Sequence, residues 1–136
     1  MSGKQEAVGK AVAAFNAGDL ETYMELYDRS ATLHGYAAEP IGYDGGKAFY
    51  SGLLSAFSGA NLEADDVLED GDKLCVRFHL TGTHTGELMG VQPTGRDILL
   101  NGLTIMRFEG NKVVERWQSA DMLGLLTQIG AIPAPA

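Results

Sequence analysis

The chain has 136 residues, 45% hydrophobic and 21% charged, which is enough for one globular domain with a real core and excludes a disordered or collagen-like segment. Its formal net charge of −8 argues against nucleic acid or an anionic membrane surface as partner, because both need a basic face. The single cysteine, Cys75, leaves no internal disulfide and fits a reducing compartment, and no apolar run reaches the ~18 residues of a membrane span.

The first residues, Met1 to Glu6, lack the apolar core of a signal peptide, so a cytoplasmic protein is expected. Val8, Ala11, Val12 and Phe15 recur at helical spacing, and Asn16-Ala17-Gly18 ends that helix. Asp19 is a good N-cap for a second helix, whose stripe is Leu20, Tyr23, Met24 and Tyr27. Ala31 to Tyr36 reads as a short strand, followed by a loop with Pro40 and Gly42. Asp44 then caps a third helix with Phe49, Leu53, Leu54 and Phe57 turned inward.

From Leu62 the periodicity changes to two, giving a strand to Leu68 and a turn at Glu69 to Asp72. Lys73 to Thr83 is a long strand, with Leu74, Val76, Phe78 and Leu80 on one face and Cys75, Arg77, His79 and Thr81 on the other. A Gly- and Thr-rich loop spans Gly82 to Gly95, a further strand runs from Asp97 to Phe108, and Glu109-Gly110-Asn111 turns into the last strand, Lys112 to Ala120. Met122 to Ile129 reads as a short final helix, and 131–136 as a mobile Pro/Ala tail. Helices first and hairpins last imply one α+β domain over 1–136, with about four to six largely antiparallel strands.

Strict alternation in the last strand puts Val113, Trp117 and Asp121 on one face. A carboxylate beside a tryptophan there is an exposed strand-end charge, a cap for the following helix, or an acid in an apolar pocket with its pKa raised toward neutrality. Asn101 interrupts the apolar face of Leu99, Leu103 and Ile105, so it is a pocket donor or part of an internal network. Trp117 is pocket wall or core, and Tyr36 and Tyr50 are candidates for the pocket mouth. His79 is a second polar pocket group if the face it shares with Cys75 and Arg77 is the lined one. No His-x-x-x-His or Cys-x-x-Cys clip is present, so no metal is expected, and the glycine spacing is not a phosphate cradle.

The run Gly82-Thr83-His84, Gly86, Gly90 and Pro93-Thr94-Gly95-Arg96 resembles the SnoaL-like polyketide cyclase family. Arg107, Gly110, Lys112 to Glu115, Trp117, Asp121, Gly124-Leu125-Leu126, Gln128, Gly130 and Pro133 continue the likeness, with His34, Gly42 and Gly46 fitting more loosely in the first half. The resemblance implies a cone-shaped α+β barrel of the nuclear-transport-factor-2-like superfamily, wrapped around the N-terminal helices, with an apolar pocket, no cofactor and a homodimeric state. It implies a small apolar ligand and places Asp121 at the acid/base position of an intramolecular aldol cyclisation, with His34 and His79 as possible assistants. His84, in the Gly-Thr-His motif, is either a substrate contact or a loop anchor. Two other readings stay open: a non-catalytic binder of a hydrophobic ligand, and an epoxide-opening hydrolase using Arg77 or Arg107 with Asp121, Asn101 and Asp97.

Overall fold

The computed structural model describes residues 2–133. The expected Pro/Ala tail therefore lies outside the described residues at 134–136. Helix α1 (Gly3–Asn16) starts at Ser2, whose Oγ accepts from the Gln5 N–H at 3.1 Å. Helix α2 (Leu20–Met24) is capped by Asp19, which accepts from Thr22 N–H at 3.1 Å. These capping bonds satisfy donors that a helix start leaves without intrahelical partners.

Tyr27 does not extend α2, as its spacing suggested, but opens strand β1 (Tyr27–His34). Helix α3 (Tyr43–Ala56) has Gly42 at its N-cap position rather than Asp44, which lies in its first turn. Strands β2 (Phe57–Asp70), β3 (Lys73–His84), β4 (Asp97–Glu109) and β5 (Lys112–Ala120) follow, then helix α4 (Met122–Gln128). β2 begins at Phe57, five residues before the alternating segment that betrays it, because its first half is bent by register shifts.

The sheet order is β1-β5-β4-β3-β2. All neighbours pair antiparallel except β1, which pairs parallel to β5. The order is linear, so the curved sheet keeps two edges and is not the closed barrel expected from the resemblance. The apolar face of β3, with Leu74, Val76, Phe78 and Leu80, is the buried one, a choice that alternation alone leaves open. It packs with Phe15, Tyr23, Met24, Leu53 and Ala56 from the helices in one core. Asn16 ties α1 to β2 by a paired contact, donating to Leu62 O at 2.9 Å and accepting from Leu62 N–H at 2.6 Å. No helix among the described residues is long and apolar enough to cross a membrane.

One local irregularity decides what faces inward. Arg107 pairs with Glu115, but the next β4 residue, Phe108, pairs with Val113. β5 therefore carries one extra residue, a β-bulge at Val114, and a bulge reverses the alternation beyond it. Val113 is buried on the core side, and Arg116, Gln118 and Ala120 face the core side after the bulge. Trp117 is consequently exposed on the opposite side from Val113, and Asp121 lies beyond the end of the strand as an exposed helix cap, which corrects the single face expected for the three residues.

Candidate active site

A cavity of about 380 Å³ opens between the concave face of the sheet and the helices. Most of its wall is apolar: Val8, Val12 and Phe15 from α1, Phe49 and Leu53 from α3, and Val76, Phe78, Leu80, Leu100 and Met106 from the sheet. Gly102 helps to shape it, because a Cβ there would lie 2.4 Å from the Phe78 ring. The absent side chain lets the ring lie against β4.

The polar part of the wall is built around Arg116, 7% exposed. Its Nε donates to Thr104 Oγ1 at 2.9 Å, and Nη2 donates to Gln118 Oε1 at 2.8 Å. Nη1 donates to Tyr27 Oη at 2.5 Å and Tyr23 Oη at 3.3 Å. Tyr23 and Tyr27 share a hydrogen bond of 2.7 Å, and Tyr36 and Tyr50 share one of 2.6 Å. Tyr36 also donates to Gln118 Oε1 at 3.2 Å, joining both tyrosine pairs to one network. Burial raises the pKa of Tyr23, Tyr27 and Tyr36 above the ordinary phenol value, so these hydroxyls are neutral near pH 7. Every protein partner of the guanidinium is therefore uncharged, while the guanidinium itself remains charged.

The residues singled out from sequence divide between this cavity and the far side of the sheet. Tyr36 and Tyr50, candidates from sequence for the pocket mouth, are among the cavity-lining residues, and Tyr50 is buried. His34 and Trp117 stack on each other on the outer face, with ring centroids 5.5 Å apart and planes 7° apart. His34 Nε2 meets Glu115 Oε2 at 2.8 Å, and Arg107 Nη2 donates to the other oxygen of that carboxylate at 3.2 Å. The bond to His34 holds the Glu115 carboxyl below its ordinary pKa, against the opposing effect of desolvation and with help from Arg107.

His79 also faces outward, with Nδ1 2.7 Å from Asp65 and Nε2 3.6 Å from Glu63. Arg77 pairs with Asp66 beside it at 2.7 Å. Asn101 is the cross-strand neighbour of His79 and is exposed; its backbone oxygen accepts from the Asp121 N–H at 2.9 Å. Asp121 is exposed at the end of β5 and caps α4, its Oδ1 accepting from Gly124 N–H at 2.9 Å. It stands between two cavity-lining residues, Ala120 and Met122. The parts of an epoxide-opening relay are not gathered in the cavity: Arg77 and Arg107 pair outside, and Asp97 accepts from Thr83 Oγ1 at 2.8 Å.

His84 is fully buried and does not line the cavity. Its Nδ1 accepts from the Thr94 N–H at 3.3 Å and lies 3.0 Å from Thr94 Oγ1, and its main chain pairs with Gly95 and Arg96. These bonds close the loop 85–95. Its Nε2 has no protein partner among the described residues. Gln128 fastens α4 to the sheet by bonding both backbone groups of Leu99, at 2.7 and 2.8 Å.

Sequence reasoning missed Arg116, Gln118, Thr104 and Glu87 as cavity residues. Arg116 and Gln118, two apart near the end of the last strand and so on one face, were a usable signal. The alternation assigned them to the wrong side because the bulge at Val114 carries no glycine or proline to announce it.

The SnoaL-like polyketide cyclase family matches residues 5–129. The aklanonic acid methyl ester cyclase DnrD of Streptomyces peucetius is 28% identical, covering 96% of this chain and 92% of its own. Among solved structures, AclR of Streptomyces galilaeus, proposed to be a hydroxylase, superposes with a TM-score of 0.89 at 28% identity, over 98% of this chain and 84% of its own. IdmH of Streptomyces antibioticus, proposed to be a polyketide cyclase, has a TM-score of 0.80 at 30% identity, over 93% of this chain and 98% of its own.

Proposed function

Because the chain belongs to the SnoaL-like polyketide cyclase family, we propose that it is a cofactor-independent cyclase acting on an apolar, carbonyl-bearing small molecule held in the cavity. The observation that carries this reading is the joining of a largely apolar chamber to a buried guanidinium surrounded by neutral hydroxyl and amide groups. Fixed donors in a water-poor site stabilise an oxyanion that develops during reaction. The name of DnrD, an aklanonic acid methyl ester cyclase, fits a carbonyl-bearing substrate.

The reaction is an intramolecular aldol condensation. A carboxylate takes a proton from a methylene flanked by carbonyls, and the resulting enolate oxygen is held by the donors. The enolate carbon then forms the new carbon–carbon bond to a second carbonyl carbon, whose oxygen becomes an alkoxide. The carboxylic acid returns its proton to that alkoxide. Asp121 is our candidate for this carboxylate. It sits at the rim between Ala120 and Met122, and capping engages its Oδ1 while leaving Oδ2 for a proton. Glu87 is the competing base, because it is the carboxylate among the cavity-lining residues. His34 and His79 lie across the sheet and have no step in this scheme.

The test is cyclisation of a synthetic linear polyketone ester by the protein and by Asp121→Asn and Glu87→Gln. The variant lacking the true base loses about 10²- to 10⁴-fold in turnover. Retention of turnover by both variants rejects a carboxylate base. Ligand binding by the wild type without turnover of any such ester leaves a binding protein as the better reading.

We also propose a homodimer formed through the outer sheet face. Leu99, Leu103, Ile105 and Trp117 are 45%, 53%, 41% and 37% exposed and lie together on β4 and β5. Arg77, Arg107 and Glu115 border them. A clustered apolar patch with a mixed-charge rim is the composition of a protein interface.

A further inference from the structure

We infer that the ligand of this cavity carries an ionised oxygen, the carboxylate of an acid or the deprotonated enol of a β-dicarbonyl compound, and seats it against Arg116 and Gln118. The inference rests on the reading that the cavity is the substrate site, and it adds the charge state of what enters. The argument is a balance of donors and acceptors.

Arg116 is buried and its partners are Thr104, Tyr23, Tyr27 and Gln118, none of them an acid. Glu115, its neighbour in sequence, bonds His34 and Arg107 on the other face of the sheet, and Glu87, the carboxylate among the cavity-lining residues, makes no hydrogen bond to Arg116 among the described residues. A buried cation without a counter-charge is costly in the free protein, and an entering anion removes that cost.

The hydrogen-bond count points the same way. The four bonds of the guanidinium leave one of its N–H groups without a protein acceptor among the described residues. Gln118 Oε1 accepts twice, from Arg116 and Tyr36, which fixes the amide orientation. Gln118 Nε2 has no protein acceptor among the described residues, so its two N–H groups are available. Tyr23 and Tyr27 both accept from Arg116 and share one hydrogen bond, which uses only one of their two hydroxyl protons. Thr104 Oγ1 accepts from Arg116 and donates to Trp117 O. The network thus offers spare donors around a positive charge. A ligand group that only accepts, and is negative, complements it; an amide or alcohol brings further donors.

The experiment is calorimetric titration of the wild-type protein with two matched pairs near neutral pH. The first pair is 2-naphthoate and 2-naphthamide. The second is 2-acetylcyclohexane-1,3-dione, ionised at that pH, and 2-acetylcyclohexanone, which stays neutral. The expected result is about ten-fold tighter binding of the anion in at least one pair, the value of one charge-assisted hydrogen bond over a neutral one. Which pair shows it tells a carboxylate from an enolate source.

The preference should vanish in Arg116→Met and weaken in Gln118→Leu, which leaves the guanidinium in place should the first variant fail to fold. Equal or tighter binding of the neutral member in both pairs overturns the proposal. A preference unchanged in both variants also overturns it. Since these readouts are affinities, loss of the cyclase reading appears separately, as a preserved anion preference with no turnover.

Discussion

Gln118 Oε1 accepts from Arg116 Nη2 at 2.8 Å, and the same oxygen accepts from Tyr36 Oη at 3.2 Å. One amide oxygen thereby joins the buried cation to the Tyr36–Tyr50 pair and leaves the amide nitrogen as the group available to a ligand. The polar end of the cavity is thereby hydrogen-bonded into one arrangement before any substrate enters.

Arg116→Met should separate stability from function. The substitution removes a buried charge but orphans no donor, since Tyr23 and Tyr27 still bond each other and Tyr36 still reaches Gln118. Thermal unfolding should show stability raised by about 1 kcal/mol or more, as when buried charges give way to apolar groups of similar volume. The kcat/KM for cyclisation should fall about 10²-fold, the cost of losing an oxyanion donor. A destabilised variant with full activity contradicts both expectations.

Two glycines should respond differently to an added methyl group. At Gly35, φ is +90° and a Cβ would lie 2.0 Å from Gln118 O, a backbone atom that cannot swing aside. Gly35→Ala should cost about 2 kcal/mol or more in chemical denaturation. At Gly102 the atom met is the tip of the Phe78 ring, at 2.4 Å. Gly102→Ala should instead drive that ring into the cavity, with weaker binding of bulky ligands and a smaller stability loss of about 1 kcal/mol.

The outer face makes the prediction for assembly. Leu103→Glu places a charge in the middle of the exposed strip without touching the cavity wall. Light scattering after gel filtration should give a dimer for the wild type and a monomer for the variant, with an unchanged far-ultraviolet spectrum. A monomeric wild type at high protein concentration removes the proposed interface.

Acid stability should depend on Glu115. Its carboxyl is held below its ordinary value by the hydrogen bond to His34 and by Arg107. A folded-state pKa below the unfolded one gives stability that is present above the unfolded value, near 4.5, and lost as pH falls through the folded value. Melting temperatures from pH 7 to pH 3 should therefore drop less steeply for Glu115→Gln than for the wild type. Parallel curves would show that the pair contributes nothing.

Much of the fold was legible because it depends on short-range patterns. The helical stripe of Val8, Ala11 and Phe15, the Asp19 cap and the alternation from Leu74 to Leu80 each reflect local geometry. The order of these elements determined the α+β class, and the spaced motifs from Gly82 to Gly130 carried the family. Tyr27 was misplaced because a five-residue helix gives way to a strand without a breaking residue.

The composition of the site was decided by tertiary structure. Whether Arg116 or Trp117 faces the ligand depends on one extra residue at Val114, and that bulge exists only through pairing with β4. The parallel pairing of β1 with β5 sets His34 against Trp117 across the sheet from the cavity. Tyr23, Tyr27, Tyr36 and Tyr50 become one network only when α2, β1 and α3 fold over the same concave face. Alternation gives relative sides along a strand; which side is covered, and where a bulge exchanges them, is set by residues far away in sequence.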